Sequence, residues 1–177
     1  ATHEKNGPAD LVTEYDLAVQ RFLRQELLAL LPEADFFGEE GQHETLTLPW
    51  TFIVDPIDGT TNFVRGFAYT NISVALAKDG QVEYAVVYAP LAGELYAARR
   101  GGGATLNGRA IHVSGRDPGH SLVVCGSTIY DRSYTERHFA IMRYLYDRGL
   151  DYRRFGAAAL DLCQVAAGRA EGFFECR

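Results

Sequence analysis

Asp55 and Asp58 stand three residues apart in the run Asp55-Pro56-Ile57-Asp58-Gly59-Thr60-Thr61-Asn62-Phe63, directly behind an apolar stretch at 51–54. Two carboxylates delivered by one strand end are what a hard divalent cation needs, because such ions take oxygen ligands. Pro56 fixes the backbone between the two aspartates and Gly59 permits a sharp bend, so both carboxylates can face one point. The carbonyl of Ile57 could add a third oxygen. The competing reading is a turn in which the aspartates hydrogen-bond their own backbone. For the D-x-x-D spacing alone, that turn is the stronger reading. An EF-hand is excluded, since neither its alternating aspartates nor its closing glutamate is present.

Three other pieces carry chemistry. Glu39 and Glu40 follow the apolar pair Phe36-Phe37, which would anchor a short buried segment; adjacent glutamates on a loop are ordinarily just solvated. Thr13 and Asp16 have the spacing of a capping box, so Asp16 could secure a helix start, touch a neighbouring water, or do both. If a helix begins near Thr60, its N–H groups form a seat for a phosphate; otherwise the stretch is an ordinary cap. The glycine-rich stretch at 99–104 lacks the Gly-Lys-Ser/Thr of a P-loop and reads as a turn. The five histidines show no metal-binding spacing, and no G-x-S-x-G occurs, which argues against a zinc site and a serine nucleophile.

The elements that must position these residues can be read from periodicity. Residues 14–31 carry a helical period through Leu17, Phe22, Leu23, Leu27, Leu30 and Leu31, stopped by Pro32. Strands are expected at 51–54, 71–77, 82–88, 94–98 and 110–113, with hairpin signals at Asp79-Gly80 and Asn107-Gly108. The turn-rich run 114–120 marks a boundary. Beyond it a strand (122–125), a helix (about 135–148), a strand (152–155), a helix (157–167) and a strand start (172–174) alternate. The pattern predicts an α+β first domain over 1–118, with helices packed on an antiparallel sheet. The beginning of an α/β domain follows over 119–177.

A net charge of −6 argues against a nucleic-acid-binding surface. Three widely spaced cysteines without a C-x-x-C give no disulfide framework and fit a reducing, cytoplasmic setting. No run of 18 apolar residues suggests a membrane span.

In this order, the pieces resemble the inositol monophosphatase family of Mg²⁺-dependent, lithium-sensitive phosphomonoesterases. Residues 50–63, WTFIVDPIDGTTNF, are similar to its first signature almost letter for letter. DLVTEYD at 10–16, the Gly38-Glu39-Glu40 triplet, AVVYAP at 85–90 and the run 156–175 resemble its other motifs. The resemblance implies a layered αβαβα sugar-phosphatase-like fold. It implies Glu39, Asp55, the Ile57 carbonyl and Asp58 as ligands of Mg²⁺. Asp16 and Thr60 would orient the attacking water, Gly59 and Thr60 would offer backbone N–H groups to phosphate, and Glu175 would contact substrate hydroxyls. Ala157 stands where many relatives carry a small polar residue. The family's second signature, a Trp-Asp pair whose aspartate is a metal ligand, is expected just past Arg177, so the second domain reads as truncated.

The activity implied is hydrolysis of a small phosphate monoester, with inositol monophosphate as the default substrate. Fructose 1,6-bisphosphate, histidinol phosphate and nucleotide 3′-phosphates are the alternatives, and an inactive metal-binding scaffold or fragment is the reading from another class. A small phosphorylated substrate, no nucleic-acid polymer, no membrane and a homodimer complete the expectation. Treating Asp58 as a partly hydrated ligand, one expects Asp58→Asn to leave the metal-free protein as stable as before or slightly more so.

Overall fold

The computed structural model describes residues 2–4, 11–40, 46–127 and 131–176. A short antiparallel pair, β1 (Thr2–Glu4) and β2 (Leu11–Thr13), precedes helix α1 (Glu14–Leu30). A seven-stranded sheet then runs in simple spatial order: β3 (Ala34–Gly38), β4 (Trp50–Asp58), β5 (Asn71–Lys78), β6 (Gln81–Ala89), β7 (Glu94–Arg99), β8 (Gly103–Leu106) and β9 (Arg109–Ile111). Only the β3–β4 pairing is parallel; the others are antiparallel. The later residues form a three-stranded parallel sheet ordered β11 (Asp151–Arg153), β10 (Leu122–Cys125), β12 (Gly172–Phe174). Parallel neighbours need crossovers, and α3 (Thr135–Asp147) and α4 (Ala158–Ala166) supply them.

Helix α1 packs Leu23, Leu27 and Leu28, with Leu31, onto Ala34, Phe36, Phe52 and Val54. Residues 23, 27, 28 and 31 recur at the 3.6-residue period and share one face. Phe22 and Leu30, which the periodicity assigns to the same stripe, are instead 61% and 80% exposed; each lies roughly 100° around the helix from a core-facing neighbour. The opposite face of the sheet meets α4, where Ala157 and Leu160 pack with Ala89 and Tyr96. Helix α4 thus lies between the two sheets. Helix α3 covers the small sheet through Met142 against Cys125 and His138 against Phe174. The result is a layered α/β architecture, as the family resemblance implies, with the mixed sheet first and the α/β alternation after it that the sequence pattern predicts.

Both hairpin signals hold. Asp79-Gly80 and Asn107-Gly108 have positive φ at both residues, the two-residue turn whose twist matches antiparallel strands. Four strands, β1, β2, β3 and β8, go unrecognised in the periodicity. Phe36-Phe37 lies in β3 rather than in an isolated anchor, and the glycine-rich stretch at 99–104 is a turn that flows into β8. Among the described residues, no helix is long and apolar enough to cross a membrane.

Candidate active site

Strand β4 explains how Asp55 and Asp58 come together. In a regular strand, residues three apart point to opposite faces. Here Asp55 pairs with Ser73 and Asp58 with Asn71, so three steps on β4 oppose two on β5. This bulge absorbs Pro56 or Ile57 and returns both carboxylates to one face, the face turned toward α4. Pro56, with no N–H to offer a ladder, sits where the pairing is interrupted. The backbone turn also forms: the Ile57 N–H donates to Asp55 Oδ1 at 3.2 Å. The turn and the clustered carboxylates are therefore one structure, and the two readings of this spacing do not exclude each other.

Asp58 is the most heavily engaged of these groups. Its Oδ2 accepts from Asn71 Nδ2 at 2.9 Å and from the Ala159 N–H at 2.7 Å; its Oδ1 accepts from the Ala158 N–H at 3.1 Å. Helix α4 has no cap from its own N-cap residue, Ala157, and an aspartate from 100 residues earlier in the chain does that work. Burial still holds the Asp58 carboxyl above the usual range, against the lowering effect of those donors. The Asp55 carboxyl is pushed up to about 9 by burial first and then by the negative charges of Glu39 and Asp58.

Glu39 follows directly from β3, and its N–H donates to the Val54 carbonyl at 3.0 Å, continuing the pairing with β4. Gln20 of α1 grips the next residue on both sides: its Nε2 donates to the Glu40 carbonyl at 2.8 Å and its Oε1 accepts from the Glu40 N–H at 2.9 Å. A side chain at Gly38 would collide with Gln20 at 2.3 Å, so glycine there is what lets the amide approach. Gln20, Asn71 and the α4 amides carry no motif spacing that would reveal them. A lone asparagine opening the apolar run at 71–77 is the only signal the sequence offers.

The capping box is formed. The Thr13 N–H donates to Asp16 Oδ2 at 2.8 Å, the Thr13 hydroxyl donates to the same oxygen, and Asp16 is fully buried. The other oxygen, Oδ1, lies 3.4 Å from the Thr60 hydroxyl, which also stands 3.0 Å from the Ile57 carbonyl. Capping and site placement therefore coexist in Asp16. Thr60 opens α2 (Thr60–Arg65), whose N-cap is Gly59 at φ +86°. A Cβ at Gly59 would meet Ala157 Cβ and the Tyr69 carbonyl at 3.1 Å, so both the left-handed backbone and the close approach of α4 require glycine.

Glu175 lies just beyond β12, beside the end of the neighbouring β10, with its carboxyl carbon 2.7 Å from where a Cβ of Gly126 would stand. Asp58 and Glu175 both act electrostatically on Asp161 of α4, whose carboxyl is pushed up to about 6, mainly by burial. Among the described residues, no three His, Cys, Asp or Glu side chains are brought together so that they could hold a metal ion; Glu39, Asp55 and Asp58 are neighbours in charge but not an assembled ligand set. Asp58 turns its oxygens toward α4 and Asn71.

The whole chain, residues 1–177, matches the inositol monophosphatase family, and the protein belongs to that family. It is 42% identical over 171 residues to the inositol-1-monophosphatase of Rhizobium meliloti, covering 96% of this chain and 64% of that one. It is 36% identical over 173 residues to the Nus factor SuhB of Salmonella typhimurium, covering 97% and 65%. The crystal structure of the extragenic suppressor protein suhB from Bartonella henselae superposes with a TM-score of 0.93 at 35% identity, covering all of this chain and 68% of that one. The chain thus spans a little under two thirds of the length of these curated relatives.

Proposed function

We propose that the protein, as the inositol monophosphatase family reading implies, hydrolyses a small phosphate monoester with Mg²⁺. The observation that carries this is the half-buried Asp55 beside Glu39 and Asp58, on the face to which the β4 bulge returns both aspartates, a carboxyl pushed up to about 9 by burial and like charge. Such a cluster is unfavourable by itself and becomes favourable when a cation supplies the missing charge. The donors fit a hard divalent ion, being oxygens only: Glu39, Asp55, Asp58 and the Ile57 carbonyl would hold it. When bound, Mg²⁺ supplies charge neutralisation for the phosphate and a lower pKa for an attacking water.

The chain's own groups do the rest. Asp16 is held through Oδ2 by Thr13, leaving Oδ1 as the oxygen that faces Thr60. The Thr60 hydroxyl has one proton to give, to Asp16 or to the Ile57 carbonyl, and lone pairs with which to accept from a water. This pair orients that water toward phosphorus. The backbone N–H groups of Gly59 and Thr60, at the start of α2, face the phosphate oxygens. Glu175, at the adjoining ends of β12 and β10, accepts from substrate hydroxyls.

Inositol monophosphate is the substrate we favour, supported by the naming of the Rhizobium relative. Relatives that carry the name Nus factor support a second reading, in which the site is a binding element rather than a catalyst. We further propose a cytoplasmic homodimer of units 1–118 and 119–177 that binds no nucleic-acid polymer. The test is phosphate release from inositol monophosphate, fructose 1,6-bisphosphate, histidinol phosphate and a nucleotide 3′-phosphate, with Mg²⁺ and with EDTA. Release from one of them that needs Mg²⁺ and disappears in Asp55→Asn is expected. Full activity after exhaustive chelation, or no release by the full-length protein, overturns the reading.

A further inference from the structure

The junction between α2 and α4 rests on side chains that the proposed chemistry leaves unused. The Tyr69 hydroxyl donates to Asp161 Oδ1 at 2.8 Å. The Tyr69 ring lies tilted on Phe155 with centroids 4.7 Å apart. Asn62 Nδ2 donates to the carbonyls of both Tyr69 and Phe155 at 2.8 Å, fixing the two aromatic residues from behind. Asp161 is fully buried in the first turn of α4, two residues past Ala159, and its Oδ2 has no partner among the described residues. A buried carboxylate with one partner contributes little to stability compared with an apolar side chain of the same size. What it does contribute is direction, because a phenol–carboxylate bond has a narrow geometry.

We propose that Tyr69 and Asp161 are positioning residues whose hydrogen bond sets the rotation of α4 about its axis and so aims the Ala158 and Ala159 N–H groups at Asp58. Those two amides and Asp161 occupy one helical turn, so a rotation that releases Asp161 misdirects both donors together. Asp58 then keeps only Asn71 of the three donors that hold its carboxylate in one orientation, and an ion that needs this orientation binds less well. This last consequence rests on the cation site proposed above; the aiming of the amides does not.

The experiment uses the full-length protein and reads two quantities. Amide hydrogen exchange across 157–163 reports the seating of the first turn of α4, and calorimetric titration with Mg²⁺ reports the ion site. Tyr69→Phe keeps the ring on Phe155 and removes only the hydroxyl. It is expected to speed exchange in this segment by roughly ten-fold, the scale set by leaving one buried acceptor unpaired. It is expected to weaken Mg²⁺ binding by about three- to ten-fold on the same ground. Asp161→Asn keeps an acceptor for Tyr69 and is expected to retain most of the protection, whereas Asp161→Ala should match Tyr69→Phe. The double variant Tyr69→Phe/Asp161→Ala should be no worse than Asp161→Ala, since both remove one bond. Unchanged exchange in Tyr69→Phe, or additive effects in the double variant, overturns the proposal. If the parent protein binds no Mg²⁺, the cation reading fails, and the exchange data still decide the role of Tyr69 and Asp161.

Discussion

Substituting Asp58 separates its proposed duty as a ligand from its duty as a helix cap, because asparagine keeps the shape and only part of the hydrogen bonding. In the structure Oδ2 takes two donors, Asn71 Nδ2 and the Ala159 N–H, and Oδ1 takes the Ala158 N–H. Asparagine can place its single oxygen where the two donors meet, which turns its NH₂ toward the Ala158 N–H. One bond is lost and one backbone donor is stranded at a buried junction, a cost of about 1–3 kcal/mol. Against this, the carboxylate's own burial is relieved, since Asp58 is held above its usual range. The stranded donor is the larger effect, because a neutral carboxyl could still accept from all three groups and an amide cannot. A net loss of about 1 kcal/mol is expected for Asp58→Asn, or roughly 2–4 °C in Tm for a chain of this size. Asp58→Ala strands all three donors and should cost about 3 kcal/mol, counting roughly 1 kcal/mol for each bond. Thermal and urea unfolding in EDTA measure both, and Mg²⁺ should raise the Tm of the parent but of neither variant. A metal-free Asp58→Asn protein that melts at or above the parent would refute this, and would restore the expectation that follows from treating Asp58 as only a partly hydrated ligand.

Gly59→Ala must adopt φ +86° and place its Cβ 3.1 Å from Ala157 Cβ, so a loss of about 1–3 kcal/mol is expected; a variant with the parent's Tm would show that the loop relaxes freely. Gln20→Ala removes both bonds to the Glu40 backbone, and Mg²⁺ affinity by calorimetry should fall by roughly three- to ten-fold, about 1 kcal/mol; unchanged affinity would separate Gln20 from the placement of Glu39. The chelated protein should lose stability as pH rises from about 4 toward about 9. The sign follows from Asp55: its folded value, about 9, lies above its unfolded value, 3.8, so the native state holds the proton more tightly and gives up that advantage as the proton leaves. Saturating Mg²⁺ should flatten this slope, and Asp55→Asn should reduce it, leaving the contributions of Asp58 and Asp161, whose carboxyls are also held above their usual range; a metal-free melting profile independent of pH over that window would contradict it. By the family resemblance, millimolar LiCl should inhibit phosphate release where NaCl at matched ionic strength does not, and equal responses would reject a lithium-sensitive site.

The sequence by itself determined the parts of this protein that depend on neighbours in the chain. The Asp79-Gly80 and Asn107-Gly108 turns, the capping box of Thr13 and Asp16, the strand that delivers Asp55 and the α/β alternation after residue 120 all follow from local backbone preference and hydrophobic period. The family was legible from residues 50–63, and three of the four proposed ligands, Asp55, Ile57 and Asp58, could be named because they lie in that one continuous segment. Tertiary structure alone decided the rest. The bulge that returns Asp55 and Asp58 to one face is a matter of register against β5, which no single strand encodes. The use of Asp58 as the cap of α4, of Gln20 as a clamp on Glu40 and of Tyr69 as a partner of Asp161 joins residues 20 to 101 positions apart. Such contacts leave no spacing to read. Each donor and acceptor is ordinary in its own segment and acquires its role only when packing removes water and leaves the distant group as its partner.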